Sequence, residues 1–315
     1  MSRPTHMTTG PYAPPAATRE LSVVSADGAR LHAEVHGPDG RPAIVLAHGW
    51  TCSTAFWARQ TRALAPDHRV IVYDQRGHGR SPAAQAAGRP YSTEMLADDL
   101  EAVLRATLAP GERAVLAGHS MGGMTMMAAA GRETFAEHAA AVLLCSTGSS
   151  RLVAESTVVP LLGSGALRTR LTAAILGSRA PLGPVTPLAK RVLKYATMGR
   201  SSTPDQVEAC ARIVHACPRG VRHGWSRVLE ELELDSGVRQ LTVPTAVVAG
   251  TADRLTPLVH ARRIAAGLPQ CVGLTELAGR GHMTPIEAPD AVTDTIRELV
   301  RSYVTADTEK GADAA

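Results

Sequence analysis

Residues 114–123 read Ala-Val-Leu-Ala-Gly-His-Ser-Met-Gly-Gly, an apolar run that passes straight into the pattern Gly-x-Ser-x-Gly. A run without polar alternation predicts a strand covered on both faces, and the stretch from Met121 to Ala130 predicts a helix. Ser120 then stands on a sharp strand-to-helix turn. Such a turn strains the backbone of the serine and pushes its hydroxyl out at the carboxyl end of the sheet. Gly118 and Gly122 leave room where a side chain would collide with the turn. The start of the helix aims backbone N–H groups at the same spot, where a developing oxyanion would be held. Five residues alone match by chance, and a serine in mid-turn is often only a turn residue. With a strand before it and a helix after it, the pattern becomes specific.

Outward from this segment the alternation of strand and helix continues. Apolar runs at 43–47, 70–73, 141–145 and 245–249 predict further buried strands. An alternating stretch at 31–35 predicts a strand exposed on one face, and residues 272–277 predict a last one. Between them, Ser92 or Thr93 can cap a helix carrying Leu96, Leu100, Val103 and Leu104 at helical spacing. Other helices are expected at 257–268 and 289–304, the latter with a proline at its start. This order predicts an α/β protein with a doubly wound, mostly parallel sheet.

From Ser149 to Gly237 the rhythm breaks. Helical patterns at 188–195, 204–216 and 224–234 occur without a strand run of comparable strength. A structureless connection of that length is uncommon, so residues 149–237 are expected to form a mainly helical insertion. Two ordinary crossover helices with long loops are the alternative. The core is then 19–148 together with 238–304, between an N-terminal tail (1–18) and a C-terminal tail (305–315). Both tails are expected to be disordered, being poor in large apolar groups.

Composition excludes several classes. The chain has 315 residues, 44% hydrophobic and 20% charged, the balance of a soluble globular protein, and no apolar run reaches the roughly 18 residues of a membrane span. Its net charge of +4 comes with scattered arginines rather than a basic stripe, which argues against nucleic acid as a partner. The N-terminus lacks the apolar core of a secretory signal, so a cytoplasmic location is the default expectation. Five cysteines without a CxxC pair suggest no disulfide framework. Cys145 reads as a buried small hydrophobe. Cys210, His215 and Cys217 match no common zinc spacing, so no metal site is expected. A monomer is the default oligomeric state.

The ordered set around Ser120 resembles the α/β-hydrolase family over residues 20–148 and 238–304. In that family the residue after His-Gly supplies an oxyanion-hole N–H. His48-Gly49-Trp50 ends the strand at 43–47, which assigns this donor to Trp50 and the second to Met121. The Trp50 side chain would lie beside the acyl pocket. The family's acid follows a late strand in a Gly-x-x-Asp pattern, matched by Gly250-Thr-Ala-Asp253. Its other common place, after the strand that follows the nucleophile helix, holds no carboxylate in residues 145–150. An Asp in such a loop often caps the next helix, and Asp253 has room for both roles. The family's histidine maps to His282 in the glycine-loosened stretch 278–285. His78, Asp74 and Arg76 belong to a signature that looks structural, and His119 is expected to point away from substrate.

The resemblance implies an esterase-like or lipase-like serine hydrolase with Ser120 as nucleophile, His282 as base and Asp253 as its partner. It needs no metal or organic cofactor and acts on a small-molecule acyl substrate. Relatives that open epoxides or displace halide carry Asp at the elbow, so those chemistries are excluded. Two readings remain beside the ester hydrolase: a biosynthetic thioesterase, acyltransferase or cyclase on the same triad, and a non-catalytic ligand-binding module. The insertion is expected to act as a cap that decides substrate. Its apolar stretches 158–162 and 173–176, Trp225 and Tyr195 are candidate pocket walls. Its arginines (Arg191, Arg212, Arg219, Arg222, Arg227) suggest either an anionic substrate or solvated helix faces.

Overall fold

A computed structural model describes residues 6–83, 90–159 and 165–305. Its strands are β1 (Arg19–Val24), β2 (Arg30–His36), β3 (Ala43–Ala47), β4 (Arg69–Tyr73), β5 (Ala114–His119), β6 (Ala139–Cys145), β7 (Thr245–Gly250) and β8 (Cys271–Leu277). They form one sheet in the order β1-β2-β4-β3-β5-β6-β7-β8. The β1–β2 and β2–β4 pairs are antiparallel, and all others are parallel. The apolar runs read as two-face-covered strands occupy the middle, where β3, β5 and β6 are buried at every residue.

Helices α1 (Ala58–Leu64), α2 (Thr93–Thr107), α3 (Met121–Ala129) and α4 (Glu133–His138) precede β6. After β7 come α11 (Leu258–Gly267), α12 (Thr284–Glu287) and α13 (Pro289–Val300). Alternation along each strand divides the core. Val45, Leu116 and Leu144 face Leu100 of α2, Met124 of α3 and Ile264 of α11. Ile44, Val115 and Leu143 face Leu64 of α1 and Ile296 of α13. From β3 the chain moves first to β4 on one side and then to β5 on the other. The β3/β5 boundary is therefore a topological switch point, where the crevice of a doubly wound sheet opens.

Between β6 and β7 lie α5 (Leu152–Glu155), α6 (Ala166–Leu176), α7 (Pro187–Thr197), α8 (Pro204–Ala216), α9 (Arg219–Glu230) and α10 (Asp235–Gln240). The segment leaves and returns at one place. The Leu234 amide donates to the Ser149 carbonyl at 2.7 Å, and the Ser149 and Ser150 hydroxyls donate to Asp235 at 2.6 and 3.0 Å. α10 belongs with the sheet, because the Gly237 backbone lies so close to Met127 that a Cβ would meet its carbonyl oxygen at 2.2 Å.

The described part of the N-terminal tail differs from its expected disorder. The Tyr12 hydroxyl donates to the Ile286 carbonyl at 3.3 Å, Arg62 donates to the Ala13 carbonyl at 2.9 Å, and the Thr18 amide donates to Val35 at 2.9 Å. One aromatic ring and a few backbone groups hold it, too sparse a signal to read from composition. The last helix also ends differently, widening after Val300 into a π-helical turn over Arg301–Thr305. Of the expected C-terminal tail, residues 306–315 lie outside the described residues.

The loop after β4 is fixed by buried charge. The Arg76 guanidinium is 1% exposed and bonds Asp99 of α2, Asp27 and Ser25. Burial pushes the Asp99 carboxyl above its usual range against the pull of Arg76. Removing one partner leaves a buried guanidinium half-neutralised. Asp99→Ala is expected to cost about 3 kcal/mol, the lower end for breaking a buried pair because Asp27 remains. A lowered denaturant midpoint at an unchanged slope is the readout.

Candidate active site

Ser120 joins β5 to α3 with φ 50° and ψ −115°, a backbone conformation that L-residues rarely adopt. The turn is held from several sides: the Ser120 amide donates to Cys145 at 2.9 Å, and its carbonyl accepts from the Gly123 amide and the Thr147 hydroxyl, each at 2.8 Å. The two motif glycines are required sterically. A Cβ on Gly118 would lie 2.3 Å from the Gly122 oxygen, and one on Gly122 would lie 2.1 Å from the Ala47 oxygen. Gly122 thereby brings the elbow against the end of β3. Gly49 follows there, where a Cβ would meet Ser120 Cβ at 3.1 Å.

Trp50 and Met121 flank this contact. Met121 opens α3, so its amide has no acceptor within the helix. Among the described residues neither amide has a backbone carbonyl partner. The chain after Trp50 is pinned by Thr51, which takes φ 63° and donates its amide to His78 Nε2 at 3.2 Å. The Trp50 indole donates to the Arg222 carbonyl of α9 at 3.1 Å.

Asp253 and His282 come together from the ends of β7 and β8. Asp253 Oδ2 lies 2.8 Å from His282 Nδ1. Its Oδ1 accepts the Leu255 and Thr256 amides at 2.8 and 2.9 Å, closing the turn ahead of α11. The residue does shape its loop, although Pro257 stands at the helix cap. A carboxylate can only accept, so Nδ1 carries the ring proton and Nε2 keeps its lone pair. Ser120 and His282 open into the same cavity of about 580 Å³.

Three supports were not visible in the sequence. The Thr256 hydroxyl donates to Asp253 Oδ2 at 2.8 Å and lies 3.1 Å from His282 Nδ1. The Glu287 carboxylate is buried and accepts the Gly281 and Met283 amides on either side of His282, each at 3.1 Å. It also accepts the Gly199 amide at 2.7 Å and the Ser202 hydroxyl at 2.9 Å, tying the His282 loop to the α7–α8 junction. The third is the Thr197 carbonyl at the end of α7, which takes the His282 amide at 2.8 Å. A threonine and a glutamate a few residues from motif positions carry no pattern of their own.

His119 lies beneath His282, with ring centroids 5.0 Å apart and its Nε2 2.9 Å from the His282 carbonyl oxygen. Burial, and then the neighbouring His282, hold its imidazole well below the ordinary range, so it stays neutral. It reaches the cavity edge but directs its polar contact at the His282 backbone. His78, Asp74 and Arg76 tie loops, as expected: Asp74 accepts the Thr54 and Arg80 amides at 2.7 and 2.8 Å. Burial lowers His78 to about 4 and His48 to about 3, leaving both uncharged. Cys210 and Cys217 are buried thiols pushed up to about 12, mainly by burial.

The cavity walls are mostly aliphatic: Leu171 and Ile175 of α6, Leu182, Leu193 of α7, Val214 of α8 and Leu229 of α9. The expected wall at 173–176 is there, and Trp50 lines the cavity too. The stretch 158–162 runs into residues outside the described ones. Two expected wall residues are elsewhere. Trp225 is fully buried, stacks on Tyr91 and donates to the Arg76 carbonyl at 3.1 Å. Tyr195 is exposed beneath the Arg254 guanidinium. The arginines of the insertion do not converge on the cavity. Arg222 reaches it but donates to the Ser178 and Ala180 carbonyls, Arg212 pairs with Glu208, and Arg227 pairs with Glu230.

Residues 42–289 match the family model of the alpha/beta hydrolase fold. The chain belongs to the α/β-hydrolase fold family. It is 34% identical over 256 residues to RutD of Variovorax paradoxus (strain S110), named for carbamate hydrolysis, with 80% of this chain and 89% of that protein covered. It is 28% identical over 279 residues to the pimeloyl-(acyl-carrier protein) methyl ester esterase of Xanthomonas axonopodis pv. citri, covering 86% and 99%. Among solved structures, the enol-lactonase from Burkholderia xenovorans LB400 superimposes with a TM-score of 0.67 at 25% identity, covering 90% and 100%. This α/β-hydrolase is thus a hydrolase of the fold. Among its described residues no helix is long and apolar enough to cross a membrane.

Proposed function

We propose that the protein is a serine hydrolase that cleaves a carboxylic ester, or a related acyl bond, through an acyl-enzyme on Ser120. Support comes above all from the His282 ring: its Nδ1 is committed to Asp253 at 2.8 Å, and it shares with Ser120 a largely apolar cavity. His282 Nε2 takes the hydroxyl proton as Ser120 Oγ attacks the acyl carbon. Asp253 stabilises the imidazolium, and the Trp50 and Met121 amides hold the oxyanion. The proton passes to the leaving alkoxide as its bond to carbon breaks, leaving acyl-Ser120. His282 then deprotonates a water that attacks the acyl carbon, and the acid departs as the proton returns to Ser120. Residues 149–234, the insertion without the α10 turn that packs on the core, act as the cap that selects the acyl group.

An aliphatic cavity predicts a dependence on chain length. Each methylene moved from water into such walls is worth about 0.8 kcal/mol, or about fourfold in kcat/KM. The series p-nitrophenyl acetate, butyrate and hexanoate is expected to rise by that factor per methylene. A flat series, or no hydrolysis at all, would contradict the reading. The Xanthomonas relative is named for hydrolysis of a methyl ester, which fits the ester reading. A thioester of the same acyl group turned over faster than its ester would favour the thioesterase alternative.

A further inference from the structure

Large apolar side chains exposed on this protein are concentrated in two helices. On α6, Leu167, Leu171 and Ile175 recur every four residues and are all exposed, Leu167 at 62%. On α7, Leu188, Val192 and Tyr195 form a second exposed stripe, with Leu188 at 70%. Exposed Leu182 lies in the connection between the helices. Beyond these seven, the exposed large hydrophobics among the described residues are the separate valines Val24, Val259 and Val272. Both helices also wall the cavity, through Leu171 and Ile175 on one and Leu193 and Ala196 on the other. The apolar surface therefore runs into the mouth that leads to Ser120.

Charge on the same segment is one-sided. Residues 151–200 carry eight Arg and Lys residues against a single acid, Glu155, whereas the whole chain has a net charge of only +4. Glu155 pairs with Arg263 of α11 at 2.7 Å and lies 3.5 Å from Arg151, and Lys190 is paired with Glu208 of α8. Arg170, Arg179 and Arg191 are exposed. Two of the chain's three lysines, Lys190 and Lys194, stand on α7 itself. The exposed stripe of Leu188, Val192 and Tyr195 on α7, with Lys190, Arg191 and Lys194 on the same helix, has the make-up of an element that lies in a lipid–water interface. The apolar side chains enter the acyl boundary while long basic side chains reach the headgroups. An exposed apolar patch of this kind, without a basic rim, would fit many partners. The exposed Arg170, Arg179 and Arg191 beside it select an anionic one.

We infer that the α6–α7 face of the insertion docks on an anionic lipid surface, with the cavity mouth opening toward it. Leu167, Leu188 and Val192 are 62%, 70% and 60% exposed, which fits insertion into a deformable lipid layer better than seating against a folded acidic protein. Docking of this kind would let an acyl ester pass from the lipid phase to Ser120 without crossing bulk water. That consequence rests on the proposed hydrolase; the docking itself does not.

The test is flotation of the full chain with vesicles of phosphatidylcholine, and with vesicles of equal parts phosphatidylcholine and phosphatidylglycerol. Each basic residue near an anionic surface multiplies affinity about fivefold. The protein is expected to partition at least tenfold more strongly onto the anionic vesicles, with binding falling as salt rises. The triple variant Arg170→Glu, Arg179→Glu, Arg191→Glu and the double variant Leu188→Ser, Val192→Ser should each lose at least tenfold, with unchanged melting temperatures. Ser120→Ala should partition like the wild type, so the docking and the acyl-enzyme are tested separately. Equal partition onto both vesicle types, or variants that bind like the wild type, would overturn the inference. So would a dimer in sedimentation that Leu188→Ser, Val192→Ser dissolves while no vesicle binding is seen. Capture by an acidic carrier protein without vesicle binding would overturn it too.

Discussion

Ser120→Ala is expected to lower kcat for p-nitrophenyl butyrate by about a millionfold, the loss typical when the nucleophile of such a triad is removed. The size follows from the chemistry: without Oγ no acyl-enzyme forms, and only binding and oxyanion stabilisation remain for a direct attack by water. KM should change little, because the cavity walls are untouched. Folding should be preserved as well. The contacts that hold the elbow, from the Ser120 amide to Cys145 and from Gly123 and Thr147 to its carbonyl, are made by its backbone. Alanine meets the same φ of 50° with no larger side chain. A melting curve superimposable on the wild type, beside the lost activity, is the expected pair of results.

Asp253→Asn should cost about 10⁴ in kcat with the fold intact. The amide oxygen can keep the Leu255 and Thr256 amides that Oδ1 now accepts, so the turn survives. The amide nitrogen would then face His282 Nδ1, where Oδ2 lies at 2.8 Å. A donor in that place favours the tautomer with the proton on Nε2, and that ring cannot accept the Ser120 proton. Raising the pH should not restore the rate, because the neutral ring is then in the wrong tautomer. Thr256 touches both atoms of the pair, so it holds their geometry but cannot replace the charge.

The sequence made the centre of the fold legible because buried parallel strands write themselves as unbroken apolar runs. The run at 43–47 is the strand Ala43–Ala47 to the residue, and that at 245–249 falls one residue short of β7. The edge strand β1 was missed. Its buried and exposed positions follow no clean alternation, and it begins with Arg19 and Glu20. α1 was also missed: seven residues with Arg59 and Arg62 among them give too short a window for helical periodicity. At the site, residues whose role is fixed by a local turn could be read, as with Gly118 and Gly122. Residues whose role depends on distant segments could not. Glu287 acts across 88 residues to Gly199, and Thr256 across 26 to His282, so their partners exist only after folding. The same limit explains Trp225, an aromatic placed by the sequence at the pocket but drawn by Tyr91 and the Arg76 carbonyl into the core. On α6 and α7 the sequence offers 173–176 and Tyr195 as pocket walls and Arg191 as a sign of an anionic substrate or a solvated face; the exposed stripes are not legible there, because exposure is a property of the packed molecule.

The claim that Ser120 is an activated nucleophile is tested most directly by covalent trapping. The protein is treated with a fluorophosphonate, which forms a stable bond to a serine made nucleophilic by a neighbouring base, and the adduct is located by peptide mass spectrometry. A single adduct is expected, on Ser120, that disappears in Ser120→Ala and forms far more slowly in Asp253→Asn. An unlabelled wild-type protein, or an adduct that persists in Ser120→Ala, would contradict it.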